Sequence, residues 1–397
     1  MGHTDYTQSF DSVAVQRNVM AFVGNGFDIQ ALHDYGARVD TRYEHFYDFL
    51  ARRHFDPSNI IMQEMRELKD AGAADWSDVE GAVSRLLNGP KVARAEELIE
   101  ALRQLQGQFS EFLDAVVPSS ILTELGADSA RHKWAMESLL MFLYDLSPEQ
   151  YRVSAFPTGE NLELYNFLFV NFNYTPLLDD FIHLDQIQFD RLSRRTVDRN
   201  CDFHNNPRGV EPHEIKPKDL SSSYLMADVI HPHGQQSVPR SLLFGIDEPV
   251  DRRGNQDPRL RLAKPFWAQN RARYAHLFED TALFIIFGCS LGGVDRWWWD
   301  AIAASLGQQR DRHKVAREEC RALSHESCTY TPELIIYWYN GGSTPLTEEE
   351  VRAKFFEGAG CLDDSKALIH VILYDDRTER VWLRTTAQRP TALAPVS

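Results

Sequence analysis

Cysteine is scarce in this chain. Five are spread over 397 residues, at positions 201, 289, 320, 328 and 361, and no two stand in a CxxC spacing. That excludes a disulfide scaffold, a zinc ribbon and a thioredoxin-type redox motif. Long apolar runs are also missing: none approaches the ~18 residues of a membrane helix. Positive charge is in the minority, with 42 basic against 58 acidic residues and a net charge of −16. Such a balance favours solubility and argues against binding nucleic acid or an anionic membrane through net charge. No GxxxxGK followed by Ser or Thr occurs, so a P-loop is excluded. The start, Met1-Gly2-His3-Thr4-Asp5-Tyr6, lacks a basic stretch leading into an apolar one. It carries Tyr6 where a myristoylation signal needs Ser or Thr. A soluble, cytoplasmic chain is therefore expected. There are no internal repeats and no low-complexity tract.

What is present is 43% apolar residues, enough for a large core, arranged in alternating patterns. Asn18–Val23 is short and apolar on both faces, which predicts a buried strand ended by Gly24. Further strands are expected at Phe167–Asn173, Asp228–His231, Leu242–Phe244, Leu283–Phe287, Leu334–Tyr339 and Leu368–Tyr374. Helical stretches are expected at 263–279, 294–307, 312–323 and 346–357. Between the first two strands the period is helical. Tyr43, Phe46, Tyr47 and Leu50 form one stripe; Trp76, Val79, Val83 and Leu86 another; Leu98, Leu102, Leu105 and Phe109 a third. The expected fold class is α/β: a Rossmann-like, mostly parallel sheet with an all-helical insertion at about 55–150. Residues 1–17 are expected as a disordered arm, 18–388 as the domain, and 389–397 as a frayed tail. The polar, Arg- and Pro-containing region 188–226 reads as a long surface loop, either a solvated connection or a contact for phosphate or a partner.

The chemistry-bearing residues fall at expected strand ends, where open α/β sheets bind ligands. Gly24-Asn25-Gly26-Phe27-Asp28 follows the first strand. Its glycines permit close approach of backbone N–H groups to a phosphate, although Ile29 stands where a complete dinucleotide fingerprint has its third glycine. A plain glycine turn with Asp28 as cap is the alternative. Asn171 and Asn173 share one face of the next strand and either line a site or satisfy the strand-to-loop turn. His231-Pro232-His233-Gly234 offers a metal pair, or one structural histidine and one general base. Gly245-Ile246-Asp247-Glu248 ends a fourth strand with two carboxylates. Gly288-Cys289-Ser290-Leu291-Gly292-Gly293-Val294-Asp295 ends a fifth, a small-residue loop able to cradle phosphate or ribose, with Asp295 as the simplest N-cap of the following helix. Trp297-Trp298-Trp299 read as core and interface packing. Together with Trp267 they suggest a homo-oligomer or a complex with a second protein.

The order of these motifs resembles the AbiH family, named for bacteriophage abortive infection. The resemblance covers roughly residues 18–305. It runs through GNGFD, Thr41-Arg42-Tyr43-Glu44-His45-Phe46, Trp76-Ser77-Asp78-Val79-Glu80, FNYT at 172–175, HG at 233–234, FGI at 244–246 and FGCSLGGVD at 287–295. It departs at Leu32-His33-Asp34-Tyr35-Gly36, where the family has a small His-Gly-Leu-like turn. AbiH-type chains are in turn similar to the sirtuin-like NAD-consuming domains of antiphage defence. That similarity implies a function, a substrate and roles. The first glycine loop (Gly24, Asn25, Gly26, Asp28) holds the dinucleotide phosphates. Asn173 orients the nicotinamide ribose and the attacking water, and His233 is the base near the ribose hydroxyls. Gly288 and Ser290 contact the adenosine ribose or phosphate. Thr175 stands where sirtuins have an aspartate, and the four zinc cysteines of the deacetylases are absent, which favours NAD hydrolysis over deacetylation.

Three functions follow. The first is an antiphage effector that hydrolyses NAD with Asn173, His233 and Asp247 as catalytic residues. Gly24, Asn25, Gly26, Asp28, Gly245, Gly288, Ser290 and Asp295 would then bind the dinucleotide, and no metal is expected. The second is a non-catalytic sensor of nucleotide or ADP-ribose that switches a partner. The third is a metal-dependent hydrolase built on His231, His233 and nearby carboxylates.

Overall fold

The computed structural model describes residues 3–9, 13, 15–73, 75–88, 93–154, 156, 161–185, 201–204, 220–246, 258–308, 310–311, 329–342, 344–362 and 367–386. Asp247, the helix expected at 312–323 and the tail at 389–397 lie outside the described residues.

Seven strands form the main sheet: β1 (Val15–Val23), β2 (Glu163–Asn171), β3 (Cys201–His204), β4 (Leu220–Ile230), β5 (Thr281–Phe287), β8 (Glu333–Tyr339) and β9 (Leu368–Tyr374). β6 (Arg310–Asp311) and β7 (Thr329–Tyr330) make a separate ribbon. The order across the sheet is β3-β4-β2-β1-β5-β8-β9, and every neighbouring pair is parallel except β3 with β4. Taken in chain order, the six parallel strands lie 3-2-1-4-5-6. The chain works outward from β1 through β2 to β4, then returns to the other side of β1 with β5. The carboxyl ends of β1 and β5 therefore flank the point where the winding reverses, the usual place for a ligand in such a sheet.

The strand sequences explain the layering. Side chains alternate across a strand, and both faces of β1 and β2 are buried, so neither strand shows polar alternation. Val19, Ala21, Val23, Phe167, Phe169 and Ile285 face one core; Met20, Phe22, Leu168, Val170, Phe284 and Ile286 face the other. Eight helices intervene between β1 and β2: α1 (Asn25–Asp34), α2 (Tyr43–Arg52), α3 (Ile60–Asp70), α4 (Val79–Asn88), α5 (Ala95–Val116), α6 (Ser119–His132), α7 (Trp134–Leu140) and α8 (Pro148–Val153). α1 to α7 bury apolar side chains in the first core, with α9 (Leu177–Ile182), and α8 only packs Tyr151 against it. The second core is covered by α12 (Arg296–Ser305) and α13 (Glu348–Ala359). Among the described residues no helix is long and apolar enough to cross a membrane.

Several expectations change. Residues 3–9 are held rather than loose: His3 Nε2 lies 3.1 Å from Thr281 Oγ1, and Gln16 bonds both Tyr6 N and Thr4 O. Part of the expected surface loop is sheet, because β3 pairs with a β4 that starts at Leu220 and stacks Phe203 on Tyr165 at 4.1 Å. Leu242–Phe244 is not a strand. Phe244 is drawn into an aromatic cluster with Phe109 of α5 and Tyr174, and only Ile246 forms a bridge, to Ala263. The helix expected over 263–279 is broken into α10 (Lys264–Ala268), α11 (Asn270–Arg273) and a 3-10 turn, with Gln269 left-handed at φ 51°. Trp298 and Trp299 are buried inside the chain, whereas Trp267 is 52% exposed. The tryptophan argument for an oligomer thus narrows to Trp267 and the half-buried Trp297.

Candidate functional site

The GNG segment is the junction of β1 and α1, with Gly24 at the N-cap and Gly26, Phe27 and Asp28 in the first turn. It packs directly on the turn after β5. Gly24 N donates to Phe287 O and Gly26 N to Gly288 O, both at 2.9 Å. A Cβ on Gly26 would stand 2.6 Å from Gly288 Cα, and one on Gly24 2.6 Å from Gly288 O. Gly288 itself has φ +68°. These three glycines were expected to admit a phosphate; what they admit is each other's backbone. Asn25 remains exposed at the start of α1, with its Oδ1 accepting from Thr41 Oγ1. Ser290 is exposed in the second turn.

Asp28 is not available to a ligand. It is fully buried, Oδ2 accepting from Thr175 Oγ1 at 2.6 Å and Oδ1 from Asn173 Nδ2 at 2.9 Å. Burial pushes its carboxyl up to about 7, against the pull of those two donors. Asn173 Nδ2 also donates to Gly24 O at 3.1 Å. Asn173 therefore ties the end of β2 to the loop after β1, and no donor among the described residues reaches its Oδ1. Asn171 takes the turn role: its Oδ1 accepts from Asn173 N at 3.0 Å.

The two histidines diverge. His231 Nε2 lies 2.8 Å from Asp179 Oδ1 of α9. His233 stacks on Phe172 at 5.1 Å, bonds that residue's backbone, and places Nε2 3.3 Å from Asp295 Oδ1. Gly234, at φ +88°, makes the turn, where a Cβ would meet Ser241 O at 2.0 Å. Among the described residues no three His, Cys, Asp or Glu side chains are grouped as a metal site needs. Asp295 sits at the N-cap of α12 but makes no capping bond. The N-cap reading is therefore corrected: its carboxylate turns toward His233 instead.

Two further charges complete the arrangement. Lys264 Nζ lies 2.6 Å from Glu80 Oε1 of α4 and 4.0 Å from Asp295 Oδ1. Gly245 is what brings Lys264 in: a Cβ there would stand 2.3 Å from Leu262 O, and Ile246 exchanges backbone bonds with Leu262 and Lys264. Gly245 therefore packs on the chain that carries Lys264. Burial lowers a lysine, but Glu80 and Asp295 hold this ammonium well above its ordinary value. Burial pushes Glu80 up to about 7 against the pull of Lys264. Burial, then the Lys264 cation, drive His233 well below 6.5, so its imidazole is uncharged at neutral pH. Burial raises the Asp295 carboxyl, with Lys264 opposing. In the sequence Glu80 stands out only as part of the Trp76–Glu80 motif, and Lys264 does not stand out as a site residue. The available signal was a lone lysine in the otherwise apolar Leu262-Ala263-Lys264-Pro265-Phe266-Trp267.

Residues 20–316 match the family described as Bacteriophage abortive infection AbiH. The chain belongs to the AbiH family. No curated protein and no solved structure matches it. The AbiH match takes in every element of the cluster just described, from the β1 end to Asp295, and the family description associates the chain with abortive infection. β8, β9 and the segment 380–386 lie beyond the AbiH match.

Proposed function

We propose that this AbiH chain acts against bacteriophage by hydrolysing NAD at the nicotinamide–ribose bond. The observation that supports this most is an uncharged, buried His233 backed by Asp295 at the end of β4, beside an Asn173 at the end of β2 whose Oδ1 is left to accept a hydrogen bond. Glycosidic cleavage passes through an oxocarbenium-like state. Nicotinamide leaves neutral, so the site needs a proton acceptor and a group that orients a water or ribose hydroxyl rather than a general acid. A neutral imidazole is suited to the first task and an amide oxygen to the second. Asn25 at the start of α1 and exposed Ser290 are suited to phosphate and ribose. The strand order is that of doubly wound dinucleotide-binding sheets, which supports a Rossmann-like reading with the dinucleotide at the β1/β5 reversal. On this reading the chain works in the cytoplasm as a homo-oligomer or beside a second defence protein, with Trp267 as the exposed aromatic for that contact.

A second reading, binding of nucleotide or ADP-ribose without turnover, draws on the fact that both amide hydrogens of Asn173 already hold the β1 loop. Infection of cells carrying the chain separates the two. Hydrolysis predicts a fall in cellular NAD that His233→Ala abolishes together with protection. Protection with an undiminished NAD pool contradicts hydrolysis and favours the sensor.

A further inference from the structure

The four ionisable side chains at the strand ends form one chain of contacts drawn from four parts of the sequence. Glu80 comes from α4, Lys264 from the start of α10, Asp295 from the turn before α12 and His233 from the end of β4. Glu80, Lys264 and His233 are each buried to 6% exposure or less. Burying an ion pair is costly, and Glu80 is the one charged side chain among the buried residues of α4, the others being Val79, Ala82, Val83, Leu86 and Leu87. The pair is also not a substitute for packing, since aromatic contacts among Tyr43, Phe109, Tyr174 and Phe244 already fasten the helices to this region. What the pair does achieve is placement of a cation 4.0 Å from the carboxylate that faces His233.

We propose that the Glu80–Lys264 ion pair is a positioning device for His233: Glu80 anchors the ammonium, the ammonium fixes Asp295, Asp295 orients the imidazole at the end of β4, and the ammonium opposes its protonation. Every element packed around the device contributes to its charge balance. Lys264 is faced by Glu80, Asp295 and Tyr174, and Glu80 in turn by Asp78 and by Tyr43 of α2. Asp295 is faced by Cys289, and His233 by Lys264 and the Phe172 backbone. Lys264 and Glu80 are positioning residues; neither is assigned a contact with substrate. The use of His233 as proton acceptor rests on the hydrolysis reading, whereas the coupling itself does not.

The test is an NMR titration of histidine-labelled full-length chain, with the His233 signal assigned by its loss in His233→Gln. Lys264→Met alone leaves the Glu80 carboxylate unpaired and risks misfolding. The working variant is therefore Glu80→Gln with Lys264→Met, a neutral pair of similar shape. The wild-type His233 signal is expected to stay in its unprotonated form well below the pH at which an ordinary histidine titrates, because burial and the Lys264 cation oppose its charging. In the double variant its midpoint is expected to rise by about one pH unit or more, since the Lys264 cation that opposes protonation of the imidazole is gone. Identical titration curves in both proteins overturn the proposal. Nicotinamide release measured on the same samples bears on the hydrolysis reading separately. If the wild type is active, the acid limb of its pH–rate profile moves up in the double variant by the same interval, and an unmoved limb overturns the positioning role. If it is inactive, hydrolysis fails while the titration still decides the coupling.

Discussion

Gly26 donates its backbone N–H to the carbonyl of Gly288 at 2.9 Å, joining the loops after β1 and β5 where the sheet's winding reverses. The two turns are built as one unit, which changes what their glycines are for. Gly26→Ala puts a methyl group 2.6 Å from Gly288 Cα, and Gly288→Ala adds the strain of φ +68°. Each is expected to cost about 1–3 kcal/mol of stability, read by denaturant unfolding. Unchanged stability with lost NAD binding would instead return these glycines to the phosphate-approach role.

Asp28 gives a pH prediction. Its folded value of about 7 lies above the ~4 of an unfolded aspartate, so the folded chain binds the proton more tightly. Stability from this group is fully present below about pH 4 and declines as pH rises toward 7. Asp28→Asn has no such proton to lose. Relative to wild type its unfolding free energy is expected to improve steadily between pH 4 and pH 7 in parallel denaturant titrations. A difference that does not vary with pH contradicts the account.

His231 and His233 should behave differently despite their spacing. His231 is tied to Asp179 of α9, away from the Asp295 cluster. His231→Ala is expected to lower stability by about 1–2 kcal/mol and to leave NAD affinity within a few-fold, measured by calorimetric titration. Loss of NAD binding in a variant that remains folded would place His231 in the site.

Strand identity was legible wherever both faces are buried. Val19–Val23 of β1, Phe167–Val170 of β2 and Leu283–Phe287 of β5 read as apolar runs, and the polar residues after them marked the candidate edge of the sheet. The antiparallel β3–β4 pair escaped, because Ser221-Ser222-Ser223, which pairs with Cys201–Phe203, carries no apolar signal. Asn173 and His233 were legible as candidates, but their partners were not. Asp28 looked like a ligand contact because nothing local showed that Thr175 and Asn173, about 145 residues on, would take both its oxygens. Lys264 lies 184 residues from Glu80, so only the fold brings the two together.

The central claim is that this chain cleaves nicotinamide from NAD with His233 as proton acceptor and Asn173 as the orienting amide. The direct measurement is nicotinamide release from NAD by the purified full-length chain, run beside His233→Ala and Asn173→Ala with NAD binding measured on the same preparations. The account predicts release by the wild type and a fall of about 10²-fold or more in His233→Ala, with NAD binding retained. It predicts a comparable fall in Asn173→Ala. Full activity in His233→Ala, or wild-type protein that binds NAD and releases no nicotinamide, would contradict it.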